Sequence, residues 1–436
     1  MPLSEPQTTN HRMPGRLARP EIVYLVRHET LASIFSSQVL APLIRLTDEC
    51  DVRLVAHVPI GQLVRPRWRR KLRDIRCQAE QAGVRVHWLP SPPSRWPRLW
   101  DDGRVLRRFL ARAFSKDASF VLHCRNAAMT AMALEASAGY PGARVVFDVR
   151  GDDVSETADQ RGISDFSETS PDAAVVDAWT RQRFAVERAD GVTAVSEAML
   201  EVLEQRYGAV VRRNSLVIPC CPEIEEFLRQ QEEREAVRKE LGLRDRFVVI
   251  YLGSLAWYQM PAHSLRVFRI IRGIIPGAHF FALTTQPEAM RREIELAGIA
   301  PEDATIRSVP PHEVPRLLAA SDLGLLLRQE DAVNRVASPV KCGEYLAAGI
   351  PVVISRNLGD YSRSIAESRL GTVVNLSAAD SDLRTQLAPW LEEYLASPGS
   401  VRDRCRTFAR EHLSWDSFVP RRLELYRRLL RMDGDV

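Results

Sequence analysis

The residues of this chain best suited to chemistry on a charged substrate are Lys341 and Glu344, in the run SPVKCGEYLAAGIP from Ser338 to Pro351. Three positions apart, they are neighbours on one helical face. As a stabilising pair they are poorly arranged, because Lys precedes Glu and a cation in the first turn opposes the helix macrodipole, with only about 0.2 to 0.5 kcal/mol at stake. An anion at that end resolves the conflict. Of 60 basic residues only four are lysines, Lys71, Lys116, Lys239 and Lys341. In so arginine-rich a chain, a lysine here suggests that a compact, rotatable donor is wanted, as at a phosphate. A solvated charged face is the alternative use of such a pair.

The elements that must position these residues are readable around them. Ser338 offers an N-cap hydroxyl, Pro339 suits the first helical position, Gly349 suits a left-handed helix end, and Pro351 forbids continuation. Leu323 to Leu327 upstream and Ile350 to Ile354 downstream are apolar, so the unit reads strand, loop, helix, strand. In such a sheet, ligands sit beyond the carboxyl ends of the strands, where the loop Arg328 to Ala337 and the helix N-terminus lie.

A chain of 436 residues suits two domains, and 45% hydrophobic with 27% charged residues is the composition of a soluble globular protein. No apolar run approaches the roughly 18 to 20 residues of a membrane-spanning helix. The first twenty residues lack an apolar signal core and read as a disordered tail. Seven cysteines without metal-ligand spacing fit a reducing compartment, with adjacent Cys220 and Cys221 as small apolar fillers. The net charge of +4 is unevenly spread: Gly61 to Phe114 holds fourteen Arg or Lys against four Asp or Glu, together with Trp68, Trp88, Trp96 and Trp100. Such a stretch suits an anionic membrane surface, at about 1 kcal/mol per charge, or a merely solvated arginine-rich face. Nucleic acid is disfavoured by the lack of any helix-turn-helix, RNP or zinc-finger pattern.

Taken in order, IVYLVR and VRLVAH read as buried strands flanking an amphipathic helix, roughly Leu31 to Leu46. The turn RHETLASIFSSQ has no glycine, which rules out a GxGxxG fingerprint. Basic helices near Arg67 to Ala82 and Val105 to Phe114 surround a strand VRVHWL, and later strands end at His123 and Val149. The polar stretch from Arg150 to Asp172 reads as a functional loop or disorder. The charged segment at 222–245 reads as a linker. Six further strands alternate with helices in the second half, implying a second doubly wound parallel sheet. The last helix carries an apolar stripe of Phe418, Leu423, Tyr426 and Leu430.

With these residues assembled, the chain resembles the GT-B glycosyltransferases, and among them the retaining family 4. The resemblance spans residues 20–432 and rests on YLGSLAWY, SPVKCGEYLAAGIPVVIS and RNLGDYSRSIAESRLGTVV in the second half. In the first half it rests on VLHCRN, VVFDVRGD, ERADGVTAVSEAML and VIPC. It implies two Rossmann-like domains facing across a cleft: a tail at 1–20, an acceptor domain at 21–225, a nucleotide-sugar donor domain at 226–412, and a helix at 413–436 that crosses back onto the first domain. Donor contacts would come from Gly253, Ser254, Ser338, Lys341 and Glu344, the first two by letting backbone N–H groups approach the diphosphate. Lys341 would neutralise the departing diphosphate, Arg328 would assist, and Glu344 would take the ribose hydroxyls. His123 is the further catalytic candidate near the sugar, with a buried structural histidine as its alternative. Arg125, Asp148, Arg150 and Glu156 would border the acceptor side; a structural Asp148 to Arg150 ion pair is the alternative, although both lie at a strand end beside a long loop, where function tends to collect.

One position departs from the family pattern. Val336 stands where the first carboxylate of the E-x7-E motif ending at Glu344 is expected. The resemblance implies a retaining transferase that moves a sugar from a UDP- or GDP-sugar to a hydroxyl of a glycan or lipid-linked acceptor, without metal or other cofactor. Cytoplasmic location is expected, with attachment to the inner face of the plasma membrane through 61–114. A nucleotide-sugar 2-epimerase and a non-catalytic scaffold of the same layout are the rival readings.

Overall fold

The computed structural model describes residues 19–32, 34–92 and 101–431. The proposed N-terminal tail, apart from Arg19 and Pro20, and Trp96 and Trp100 of the basic stretch lie outside the described residues.

Two all-parallel sheets organise the chain. The first has seven strands in the order β3-β2-β1-β4-β5-β6-β7. They are β1 Glu21–Arg27, β2 Asp51–Pro59, β3 Arg85–Ser91, β4 Phe120–Arg125, β5 Ala143–Val149, β6 Gly191–Ala194 and β7 Ser215–Val217. The second has six, in the order β10-β9-β8-β11-β12-β13. They are β8 Val248–Leu252, β9 His279–Leu283, β10 Ala304–Arg307, β11 Leu323–Leu326, β12 Val352–Ser355 and β13 Gly371–Val374. The central strands read as unbroken apolar runs because helices cover both faces, and Ile22 to Val26 and Val248 to Tyr251 are buried at every position. In each sheet the strand order reverses between two neighbours, β1 and β4 in the first, β8 and β11 in the second. The loops leaving those strands border the crevice in which doubly wound sheets bind ligands.

Each sheet has its own core, and the last helix, Trp415–Arg431, belongs to the first one. Its Leu423, Leu425, Tyr426 and Leu429 pack with Tyr24, Leu54 and Val146, while Leu430 is only partly buried, so the packed stripe runs through Leu425 and Leu429. The polypeptide therefore passes between the domains twice, near Pro219 to Glu223 and near Leu413 to Trp415. The charged segment expected to be a linker is largely fixed to the second domain. Ile224, Phe227 and Val237 join its core, and Arg234 and Arg238 both reach Asp322, at 2.6 and 3.1 Å.

Three local expectations are corrected. In place of one long helix from Leu31 to Leu46, a turn of π-helix at Ser36–Leu40 runs into a single α-turn at Ala41–Ile44. The polar stretch after Val149 is not a plain loop: Asp153–Gln160 is helical, capped by Asp152, and buries Val154 and Ala158 against Val175 and Ala178. The helix carrying Lys341 begins at Val340, with Pro339 at the cap position and no side-chain cap. Ser338 does not cap it because its Oγ accepts the Cys220 N–H at 3.0 Å and donates to the Tyr361 hydroxyl at 3.4 Å. Gly349 does adopt the left-handed conformation, with φ of +70°.

Candidate functional site

On the second sheet, Gly253 follows β8 with φ of +146°, a conformation that favours glycine, and a Cβ there would collide with Gln259 Oε1 and Lys341 Nζ. The short segment from Ser254 to Met260 folds back over this turn. Gln259 donates from Nε2 to Ser254 Oγ at 2.8 Å and accepts from Lys341 Nζ at 2.6 Å. Gly253, Ser254 and Lys341, 88 positions apart at the extremes, are thus brought together around the Gln259 side chain. Burial and the nearby Arg328 charge lower the Lys341 ammonium, while Glu344 pulls the other way. Glu344 is raised by burial, which Lys341 only partly offsets. Neither forms an ion pair with a described residue.

Arg328 leaves the end of β11 and is 8% exposed. Its guanidinium lies 4.9 Å from the centre of the Tyr258 ring, and Nη1 is buried with no hydrogen-bond partner. Burial lowers its affinity for the proton. Arg328, Tyr258 and the 55%-exposed Trp257 border a cavity of about 280 Å³ between the two sheets. Ser338, Val336 and Asp331 complete that wall, and Arg150, Gly151 and Glu156 face them from the first domain. Val336 turns its side chain into the first domain's core and offers its carbonyl to Ser196 Oγ at 2.7 Å. Position 336 thus contributes no polar side chain to the cavity.

On the first sheet the expected cluster splits. Arg150 and Glu156 border the cavity; Asp148, His123 and Arg125 do not. His123 is 1% exposed, hydrogen-bonded through Nδ1 to the Tyr426 hydroxyl at 2.9 Å and stacked on Tyr24. Its expected place beside a sugar is therefore corrected: the last helix lays Tyr426 over it, and burial lowers its pKa against the pull of Asp148. Asp148 accepts from the Tyr24 hydroxyl at 2.9 Å and from Thr193 at 3.0 Å, with Arg150 Nη1 at 3.8 Å. Burial alone would raise this carboxyl, but Arg150, His123 and Arg125 outweigh it and hold it far below the usual carboxylate range. Arg125 pairs with Glu29 under the surface. These three residues make a buried structural network.

Glu156 differs from them. It is half-buried, has no hydrogen-bond or ion-pair partner among the described residues, and is pushed up to about 7 by burial and by Asp153 and Asp152. Sequence reasoning missed Gln259, Trp257 and Tyr258. The signal was present, since WYQ follows the YLGSLA turn directly, but a hydrogen bond between Gln259 and Lys341 spans 82 positions and has no local signature.

Comparison with known proteins is consistent with this geometry. Residues 45–221 match the model of a glycosyl transferase 4-like domain. Spore coat protein SA of Bacillus subtilis is 25% identical over 211 residues, which cover 45% of this chain and 53% of that protein. The chain thus spans about half the length of that relative. Alpha-maltose-1-phosphate synthase of Mycolicibacterium smegmatis is 24% identical over 280 residues, covering 58% of this chain and 67% of the synthase. HepE of Anabaena, solved in complex with UDP, superposes with a TM-score of 0.66 at 14% identity, covering 94% of this chain and all of HepE. The two parallel-sheet domains and the crossing helix give the chain the GT-B fold, and residues 45–221 of its first domain are similar to a glycosyl transferase 4-like domain.

Proposed function

We propose that the protein is a retaining glycosyltransferase that moves a sugar from a nucleotide-sugar to a hydroxyl of an acceptor. The observation that carries this reading is a pair of cations, the buried Arg328 and the half-buried Lys341, neither in an ion pair with a described carboxylate, beside the glycine turn at the reversal of the second sheet. A buried cation without a counter-ion is costly, and an incoming diphosphate supplies one. Gln259 Oε1 now satisfies Lys341 as a phosphate oxygen would. Glu344, one helical turn on, is suited to accept from ribose hydroxyls.

In the reaction so proposed, the bond from the anomeric carbon to the diphosphate oxygen breaks as the acceptor hydroxyl attacks from the same face. The hydroxyl proton passes to the departing phosphate. Lys341 and Arg328 stabilise the charge that grows on that leaving group, and domain closure over the cavity positions the acceptor. The nucleotide-sugar is a substrate in this scheme and no cofactor is assigned. HepE and its UDP support a uridine nucleotide as the first donor to try.

For the acceptor, a glycan or lipid-linked glycan at an anionic membrane surface is the reading we favour. Helix Pro66–Gln81 buries only Leu72 and Ala79 and leaves Arg67, Arg69, Arg70, Lys71 and Arg73 exposed. Arg67 lies over the half-buried Trp68 ring at 4.8 Å. Among the described residues no helix is long and apolar enough to cross a membrane. A scaffold without activity is the second reading, favoured by Val336 and by the Gln259 contact that already occupies Lys341. Calorimetry with UDP and GDP separates the two: a folded protein that binds neither is the scaffold. A screen of nucleotide-sugars against membrane extracts, read by mass spectrometry, then identifies donor and acceptor. A change of the sugar nucleotide with no acceptor consumed would instead indicate a 2-epimerase.

A further inference from the structure

The cavity between the sheets is bordered by unsatisfied groups of both charges, Arg150 Nε of the first domain among them. Arg328 from the second domain has a buried Nη1 without a partner. Glu156 from the first domain has a carboxyl without one. The other acids at this wall are accounted for. Asp331 spends both oxygens on Asn334, at 2.7 to 3.0 Å, and Asp159 is exposed. Behind them, Asp152 is taken by Arg206 in a two-pronged pair at 2.6 and 2.8 Å. Room for the Glu156 carboxyl is made by Gly151, where any Cβ would run into Oε1. The fold thus keeps a carboxyl in place at the cavity wall and gives it nothing to bond.

We propose that Glu156 binds hydroxyls of the sugar being transferred, reaching across from the first domain to a donor whose diphosphate is held by Lys341 and Arg328. This rests on the nucleotide-sugar reading above and moves Glu156 from the acceptor to the donor. Arg328 both neighbours Lys341 and borders the cavity, so a sugar attached beyond the diphosphate passes from the cations toward Glu156. The charges facing Glu156 select against other ligands. Asp152, Asp153 and Asp159 lie on its own helix or at its cap, and Arg150 precedes it; Arg181 acts on Asp153 from helix Ala173–Arg188; Arg328 and Asp331 come from the second domain. Acids on the near side repel a phosphate, and Arg328 opposite repels a cation. A neutral polyhydroxyl ring suits both sides. Held near neutrality, the carboxyl can donate one hydrogen bond and accept another, which matches a pair of ring hydroxyls.

The test compares binding of UDP and GDP with binding of the corresponding hexose nucleotides to the full chain, by calorimetry, for wild type, Glu156→Ala and Glu156→Gln. The expected result is that Glu156→Ala binds the bare diphosphates as wild type does and the nucleotide-sugar at least tenfold more weakly. Glu156→Gln, which keeps one donor and one acceptor, should stay within about threefold of wild type and shows that the site tolerates substitution. Equal affinity of Glu156→Ala and wild type for the nucleotide-sugar overturns the proposal, as does an equal loss for diphosphate and nucleotide-sugar. A wild type that binds no nucleoside diphosphate overturns the donor reading itself, and this assignment falls with it.

Discussion

Charged side chains gather where the strand order reverses in both sheets, and the two gatherings have opposite fates. At the first sheet, Asp148 accepts from Tyr24 and Thr193 and has His123 and Arg150 within 3.6 and 3.8 Å, so its charge is matched there, although Arg150 Nε, Arg125 Nη1 and Arg422 Nε are buried without a hydrogen-bond partner. At the second, Arg328 is buried and Lys341 and Glu344 are half-buried, yet among the described residues no carboxylate forms an ion pair with either cation. Burial of charge is costly in both places. The first cluster offsets the cost from within the protein and so stabilises the fold; the second leaves it to be offset by a ligand. Glu156 and Arg150, at the edge of the first sheet, show where one regime passes into the other, since only these two members of the expected acceptor cluster reach the cavity.

The sharpest way to break this contrast is to remove one group from each cluster. Asp148→Ala should lose about 3 to 5 kcal/mol of stability in urea unfolding, because Arg150 and Arg422 are left buried without their carboxylate. A loss below about 1 kcal/mol would mean that the network is not structural. Lys341→Ala should do the reverse. Turnover falls by about 10² to 10³-fold, the scale of losing one preorganised donor to a leaving group. The melting temperature should hold or rise, since a half-buried ammonium with no carboxylate partner has gone; a large drop with turnover intact would make Lys341 structural.

Glu156 gives a smaller effect that depends on pH. Its carboxyl is raised from 4.5 to about 7, burial being the main cause. A folded-state value above the unfolded one means that the acid contributes its full stability below about pH 4.5 and loses it as pH rises through about 7. Glu156→Gln escapes that loss. The variant should therefore melt above wild type at pH 8.5 and level with it near pH 4.5, by scanning calorimetry; the same gap at both values would refute the assignment. The smallest effect is expected at Gln259, whose Oε1 must leave Lys341 before a phosphate can arrive. Gln259→Ala should strengthen UDP binding a few-fold, the worth of one hydrogen bond of about 1 kcal/mol. Weaker binding would show that the amide contacts the nucleotide rather than standing in for it.

Much of this arrangement was legible in the sequence. The order of strands and helices, the Gly349 helix end and the neighbourhood of Lys341 and Glu344 all follow from periodicity and from residues whose backbone preferences act locally. The errors fell where a distant partner intervenes. Ser338 reads as a cap until Cys220 claims its hydroxyl. His123 reads as a residue of the cleft until Tyr426, 303 positions away, covers it. The stretch after Val149 reads as a loop because its helix is short and polar on the outside, and only its contact with Val175 and Ala178 makes it helical.

By itself, then, the sequence determined where strands and helices form and which residue types stand at their ends, because those preferences depend on a few neighbours along the chain. Only the tertiary structure decided which buried charges are neutralised at home and which are left waiting. That outcome depends on distances between side chains as far apart as Gln259 and Lys341 or Glu156 and Arg328, and no local pattern encodes them.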